Sequence, residues 1–232
     1  MLFFGRHKTI EKRGFFRGFT DWHSHILPGV DDGIKTMDDA LALLKRYEDV
    51  GVSTVWLTPH IMEDIPNTTA HLRNRFAELQ AAYTGGLTLH LAAENMLDNL
   101  FEERLEAGDV LPIGEKADSL LVETSFFTPP MNLKGMMRTI MSKGYYPILA
   151  HPERYQYMDD NDYDELKEMG VRFQFNLMSY AGMYGHEAKD KVKRLATAGY
   201  GNYYGTDVHR LGQFEGFLAS KAEIVPLTNN QH

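Results

Sequence analysis

Short runs rich in β-branched and aromatic residues alternate with amphipathic segments of helical length along this 232-residue chain. That alternation constrains the fold more than any other feature. It is the pattern of an α/β protein with parallel strands, because each parallel strand needs a crossover to bring the chain back to the same end of the sheet. Strands are expected at 19–23, 52–57, 87–93, 119–122, 146–150, 171–176 and 203–206. Helices are expected at 37–50, 69–83, 97–105, 133–143, 163–169, 187–198 and 214–221. The first helix shows the logic: Ala40, Leu43, Leu44 and Tyr47 recur at helical spacing, Thr36 stands ready as N-cap, and Gly51 as the stop. No linker or low-complexity tract interrupts the series. We therefore expect an N-terminal arm, residues 1–18, and a single domain over 19–232. A closed or nearly closed barrel one unit short of eight is the expected architecture, with a doubly wound open sheet as the alternative.

The metal-binding residue types gather at the carboxyl ends of these runs. His23 and His25 end the first, with Asp31 and Asp32 in the loop beyond. His60 closes the second, Glu94 the third, Glu123 the fourth and His151 the fifth, and Asp207 and His209 end the seventh. In a β/α barrel those ends share one face, where active sites are built. The pairs His23-x-His25 and Asp207-x-His209 carry extra weight, since strand side chains two apart point the same way. A lone histidine is more often a hydrogen-bonded core residue than a ligand, but the joint pattern is poorly explained by chance. His7, His71, His186 and His232 fall on arms, helices or the tail, and His90 falls mid-strand, so they are left out. Met131, Met136, Met137 and Met141 are read as core filling.

Composition narrows the chemistry. With no cysteine, the chain has no disulfide, no thiolate zinc site and no cysteinyl nucleophile. Imidazoles and carboxylates without thiolates suit borderline-to-hard divalent cations such as Mn²⁺, Fe²⁺ or Zn²⁺. A formal net charge of -8 argues against a nucleic-acid partner. No apolar run is long enough to span a bilayer and no signal peptide is evident, so the chain is read as cytoplasmic, with membrane contact only through a partner. The aromatic and basic start, MLFFGRHKTIEKRGFFRGF, is read as an arm packed on the domain.

The residues also carry a family resemblance. The segment Asp21-Trp22-His23-Ser24-His25-Ile26-Leu27-Pro28-Gly29-Val30-Asp31-Asp32-Gly33 resembles the opening motif of bacterial protein-tyrosine phosphatases of the PHP (polymerase and histidinol phosphatase) superfamily, from capsule and exopolysaccharide operons. Thr58-Pro59-His60, Ala93-Glu94-Asn95, Val122-Glu123, Ala150-His151-Pro152-Glu153-Arg154 and Thr206-Asp207-Val208-His209 follow in order. H-x-H alone is weak, whereas the ordered set is specific and covers nearly all the chain after the arm. The resemblance implies a distorted (β/α)7 TIM-like barrel of the PHP type holding three divalent ions. By resemblance His23, His25, Glu94 and Asp207 would hold one ion, and Glu94, Glu123 and His151 a second. Asp31 or Asp32, with Asp32 preferred because Gly33 follows it, would join His60 and His209 at the third. One departure is visible: where the family often has basic residues after His60, this chain has Ile61-Met62-Glu63-Asp64-Ile65-Pro66.

The chemistry so implied is hydrolysis of phosphotyrosine in proteins by a metal-activated hydroxide, adjacent divalent ions lowering the pKa of bound water and binding phosphoryl oxygens. Arg154 and Arg210 follow ligand positions and are the candidate phosphate contacts; Asp32 completes the candidate catalytic set. A phenolate leaves readily, since the pKa of tyrosine is about 10. The resemblance names a partner too, the tyrosine-rich tail of a bacterial tyrosine autokinase controlling polysaccharide synthesis. Three rivals stand beside this reading. They are a small-molecule phosphatase of the histidinol-phosphate type on the same scaffold, an amidohydrolase-type barrel, and a metal-free PHP module that only binds.

Overall fold

Local chemistry sets the helix limits. A computed structural model describes residues 8–227. In it α1 (Met37–Val50) begins where Thr36 Oγ1 accepts from Asp39 N–H, and it ends at Gly51, whose left-handed backbone (φ 94°) lets its N–H reach the Glu48 and Tyr47 carbonyls. It buries Ala40, Leu43, Leu44 and Tyr47, the face read from the sequence. Thr68, Asp98 and Asn132 cap α2 (Thr69–Ala82), α3 (Asn99–Ala107) and α4 (Leu133–Ser142) in the same way. The helix expected at 163–169 starts earlier, as α5 (Asp160–Glu168), because Asp159 and Asp162 form a reciprocal capping box. A one-turn α6 (Leu177–Tyr180), not foreseen, precedes α7 (His186–Thr197) and α8 (Leu211–Ala219).

Among the described residues, nine strands form two parallel sheets. The first has the order β1 (Phe19–Ser24), β2 (Val52–Leu57), β4 (Thr88–Leu91). The second runs β3 (His60–Ile61), β5 (Glu94–Met96), β6 (Ser119–Glu123), β7 (Tyr146–Ala150), β8 (Arg172–Asn176), β9 (Tyr203–Gly205). The strand expected at 87–93 is therefore two short strands, β4 and β5, and the second strand resumes after Thr58-Pro59 as β3. Proline lacks the N–H a ladder requires, which accounts for the break at Pro59. Main-chain bonds continue on either side of the break: Thr58 N–H donates to the Ser24 carbonyl (2.8 Å), extending the first sheet, and Glu94 N–H to the Pro59 carbonyl (3.1 Å), extending the second. At the other edge the curl brings the end of β9 to β1, where Asp207 N–H donates to the His23 carbonyl (2.8 Å) and His25 N–H to the Val208 carbonyl (3.0 Å).

Two apolar clusters result among the described residues. The larger lies under the helices and takes Leu120 and Val122 from β6, while the smaller packs Trp56, Leu121, Ile148, Ala150 and Tyr203 on the opposite strand faces. Every residue of β6 is buried, as expected of a parallel strand covered on both sides. The described part of the arm belongs to the larger cluster: Ile10 and Phe16 are buried, and Phe16 meets Phe214 and Phe217 of α8 edge-on. Residues 1–7 and 228–232, including His7 and His232, lie outside the described residues. No helix among the described residues is long and apolar enough to cross a membrane.

Candidate metal centre

The residues expected at strand ends converge, although His60 and Glu94 open β3 and β5 instead of closing the strands before them. His23, His25 and Asp207 form one group within metal-ligand reach, and His23, Glu94 and His151 a second. His60, Glu94 and Glu123 form a third, and His25, Asp32, His60 and His209 a fourth. All nine residues expected as ligands are thus brought together. Glu94 lies at the middle: its Oε1 is 2.8 Å from His151 Nε2, and its Oε2 is 3.1, 3.3 and 3.2 Å from His23 Nε2, His25 Nε2 and His60 Nδ1. Asp207 Oδ1 lies 3.3 Å from His25 Nε2, and Asp32 Oδ1 3.3 Å from His209 Nε2. His60 reaches further than its expected group, since its Nδ1 is also 2.9 Å from Glu123 Oε1.

Backbone geometry aims several of these side chains. His151 (φ 32°) and Asp207 (φ 52°) adopt the left-handed region, which is uncommon for residues with a side chain. Ala150 faces the smaller cluster, so an unbroken strand would turn His151 to the other side; the left-handed step resets its direction. Asp31 and Asp32 divide their work. Asp31 Oδ2 accepts from His25 Nδ1 (2.8 Å) and His60 N–H (3.1 Å), and its Oδ1 accepts from Gly33 N–H (2.9 Å). The Asp31 carboxylate is occupied with orienting His25, and Asp32 is the one that faces His60 and His209. Gly33 has to be glycine here, because a Cβ would lie 2.2 Å from the His25 carbonyl oxygen.

The donor set fits cations. Nδ1 of His23, His25 and His209 each meets an oxygen that can only accept: Gln174 Oε1 (2.7 Å), Asp31 Oδ2 (2.8 Å) and the Asp207 carbonyl (2.9 Å). The neutral rings must then carry their proton on Nδ1 and present the Nε2 lone pair inward. His23 Nε2 and His25 Nε2 stand 3.1 Å apart, lone pair against lone pair, with Glu94 Oε2 beside both. Only a proton or a cation between them relieves that arrangement. His60 Nδ1, Glu94 Oε2, Glu123 Oε1 and His151 Nδ1 are buried without an aligned hydrogen bond among the described residues, although His60 Nδ1 lies close to both carboxylate oxygens. The electrostatic surroundings agree. Burial alone would lower His23, but Glu94 and Asp207 outweigh it and push it up to about 9. Burial likewise opposes ionisation of Glu94, yet His23 and His60 hold it well below the usual carboxylate range.

Arg154 sits beside this cluster, partly exposed, donating from one guanidinium nitrogen to Asp207 Oδ2 (2.8 Å). Its guanidinium lies between the Phe126 ring (4.1 Å) and the Tyr184 ring (4.3 Å). It also lines a cavity of about 190 Å³ with Phe126, Phe127, Glu153 and Tyr184. Arg210 is placed differently: it is the exposed residue before α8, and its guanidinium makes no hydrogen bond or ion pair among the described residues. The acidic loop after His60 is anchored to the start of α3, with Glu63 N–H on Asp98 and Asn99 on Glu63. His90 stacks on Trp56, away from the cluster. Met137 is buried as expected, whereas Met131 is fully exposed, so core filling is wrong for that residue.

Sequence reasoning missed the supporting residues. Gln174 holds His23, and Asn176 Nδ2 donates to Asp207 Oδ2 (2.8 Å). A signal was present: in Arg172-Phe173-Gln174-Phe175-Asn176 two amides recur two apart in a strand whose other interior residues are apolar.

Comparison with known proteins places this geometry. Tyrosine-protein phosphatase YwqE of Bacillus subtilis (strain 168) is 27% identical over 197 residues, 82% of this chain and 77% of that protein. Tyrosine-protein phosphatase CpsB of Streptococcus pneumoniae is 29% identical over 184 residues, 75% of this chain and 74% of that one. A chain from the crystal structures of YwqE and CpsB, described as unique metal-dependent tyrosine phosphatases, superposes with a TM-score of 0.76 at 25% identity, covering 84% of this chain and 81% of its own. The family model for capsular polysaccharide synthesis, CpsB/CapC, matches residues 19–225, and the chain belongs to that family.

Proposed function

We propose that this chain is a metal-dependent protein-tyrosine phosphatase whose nine strand-end residues hold three divalent cations, Mn²⁺ foremost. The observation that carries the reading is the inward convergence of Nε2 lone pairs from His23, His25 and His209 on Glu94, Asp207 and Asp32. His23, His25, Glu94 and Asp207 would hold one ion, Glu94, Glu123 and His151 a second, and Asp32, His60 and His209 the third. The two parallel sheets are read as one distorted (β/α)7 barrel, supported by the bonds that join β1 to the end of β9 and by the passage of the chain from β2 to β3 through Thr58-Pro59. Residues 19–232 are taken as one domain behind the arm.

Bound divalent ions supply an activated water and charge neutralisation for the phosphoryl oxygens. The chain's own residues supply the rest. Arg154 spends one N–H on Asp207, leaving the remainder of its fork for a phosphoryl oxygen, and the flanking rings hold it in place. Asn176 shares the burden on Asp207 Oδ2, keeping Oδ1 turned to the histidines. The aromatic walls of the adjoining cavity, Phe126, Phe127 and Tyr184, suit an aryl leaving group, which needs little acid assistance. Arg210 is retained as a contact for an approaching substrate from the exposed rim. The relatives' names support a phosphotyrosine protein as the substrate; the family resemblance suggests, more finely, the tyrosine-rich tail of a bacterial autokinase that governs capsule or exopolysaccharide synthesis, met in the cytoplasm.

The test compares Mn²⁺-dependent turnover of a phosphotyrosine peptide with that of histidinol phosphate at matched concentrations. The expected result is a kcat/KM at least tenfold higher for the peptide. Preference for histidinol phosphate would replace this reading with the small-molecule one.

A further inference from the structure

Among the histidines of the centre, the outer nitrogen is treated unequally. His25 has a carboxylate behind it, His209 a main-chain carbonyl, and His151 Nδ1 has no hydrogen-bond partner. His23 alone is backed by a neutral side-chain amide. We propose that Gln174 is a positioning residue, which fixes the His23 ring with its proton on Nδ1 and so commits Nε2 to the metal. The inference rests on the metal-centre reading above.

The geometry leaves little freedom. His23 and Gln174 are both fully buried, with Nδ1 and Oε1 2.7 Å apart. The amide might be turned either way were it free, but Gln174 Nε2 donates to the Phe175 carbonyl at 2.8 Å. That bond settles which end meets the histidine, and an amide oxygen has no proton to give. His23 must therefore donate from Nδ1. The neighbouring strand is shaped around the pair: a Cβ on Gly205 would lie 2.4 Å from His23 Cβ and 2.8 Å from Gln174 Nε2. Glycine at 205 is what lets β9 pass this close.

The choice of an amide has a chemical consequence. The centre already gathers four carboxylates, from Asp32, Glu94, Glu123 and Asp207. A glutamate at 174 would orient His23 equally well, yet add a further negative charge and draw the Nδ1 proton towards itself, making Nε2 a stronger donor. Gln174 gives orientation without that extra donor strength, which leaves a bound cation more electrophilic.

The experiment titrates Mn²⁺ into metal-stripped full-length protein by calorimetry, for wild type and for Gln174→Leu, Gln174→Asn and Gln174→Glu. Leucine removes the acceptor and asparagine is too short to reach. Both are expected to weaken one Mn²⁺ site by about 10–100-fold, with the metal-free melting curve close to wild type. Glutamate is expected to restore or tighten that site. In Zn²⁺-loaded wild type, ring-¹⁵N spectra are expected to show the His23 proton on Nδ1. If the leucine variant does not fold, the Asn and Glu pair gives the same comparison. Equal affinity in wild type and the Asn variant, or a His23 proton on Nε2, overturns the role of Gln174 while leaving the metal centre standing. A wild-type chain that binds no Mn²⁺ overturns the centre itself.

Discussion

Glu94→Gln removes one negative charge from the middle of the cluster without changing the shape of the side chain. Glu94 is fully buried, and its two oxygens lie within 2.8–3.3 Å of nitrogens from His151, His23, His60 and His25. Two unit charges about 4 Å apart interact by about 4 kcal/mol at the effective dielectric that suits protein sites, and a dication doubles this. Part is returned, because the amide oxygen still coordinates and repulsion with the Glu123 and Asp207 carboxylates is relieved. A net loss of about 4 kcal/mol remains, close to a thousandfold in metal affinity. The assay is calorimetric Mn²⁺ titration, with the ions retained after dialysis counted by mass spectrometry. Because Glu94 stands in two of the four groups, more than one ion is expected to be lost at a given free Mn²⁺. Wild-type affinity and stoichiometry in Glu94→Gln would refute the idea that this carboxylate bridges cations.

Other outcomes follow from the same geometry. His151→Ala is expected to lower phosphotyrosine-peptide turnover by more than about a hundredfold, beyond what losing an outer hydrogen bond costs; retained turnover would remove His151 from the centre. Arg154→Lys, which cannot stack between Phe126 and Tyr184 or offer a planar fork, should lose about 10–100-fold in kcat/KM, or about 1.4–2.8 kcal/mol. An unchanged value would make Arg154 dispensable. Saturating one site with Mn²⁺ at a hundred times its Kd should stabilise the fold by about 2.7 kcal/mol and raise the melting temperature by roughly 5–10 °C; no shift would contradict binding. Phe16→Ala should cost about 3–5 kcal/mol, since Phe16 is buried against Phe214 and Phe217; an unchanged melting temperature would show the arm to be loosely held.

Much of this arrangement could be read from the chain because two periodicities did the work. Helix α1 fell where Thr36, the apolar stripe and Gly51 placed it, and β2 and β7 matched their expected limits. The convergence of these residues was legible because polar groups at successive strand ends have no packing reason to be histidines and carboxylates together. What stayed hidden depended on backbone contacts between distant segments. Nothing local to 87–93 announces the gap between β4 and β5, which arises where the second strand loses its ladder at Pro59. The division of labour between Asp31 and Asp32 turns on which carboxylate meets Gly33 N–H and His25. Arg154 and Arg210 each lie within three residues of a candidate metal-binding residue in sequence, but only Arg154 is drawn in by Asp207 and two aromatic rings.

The most direct measurement strips the protein with a chelator, removes the chelator, and follows phosphotyrosine-peptide hydrolysis while Mn²⁺ is returned. Hydrolysis should fall to background and recover in step with bound ions, reaching its plateau as the nine-residue cluster fills. Full hydrolysis by protein shown by mass spectrometry to carry no divalent ion would contradict the account.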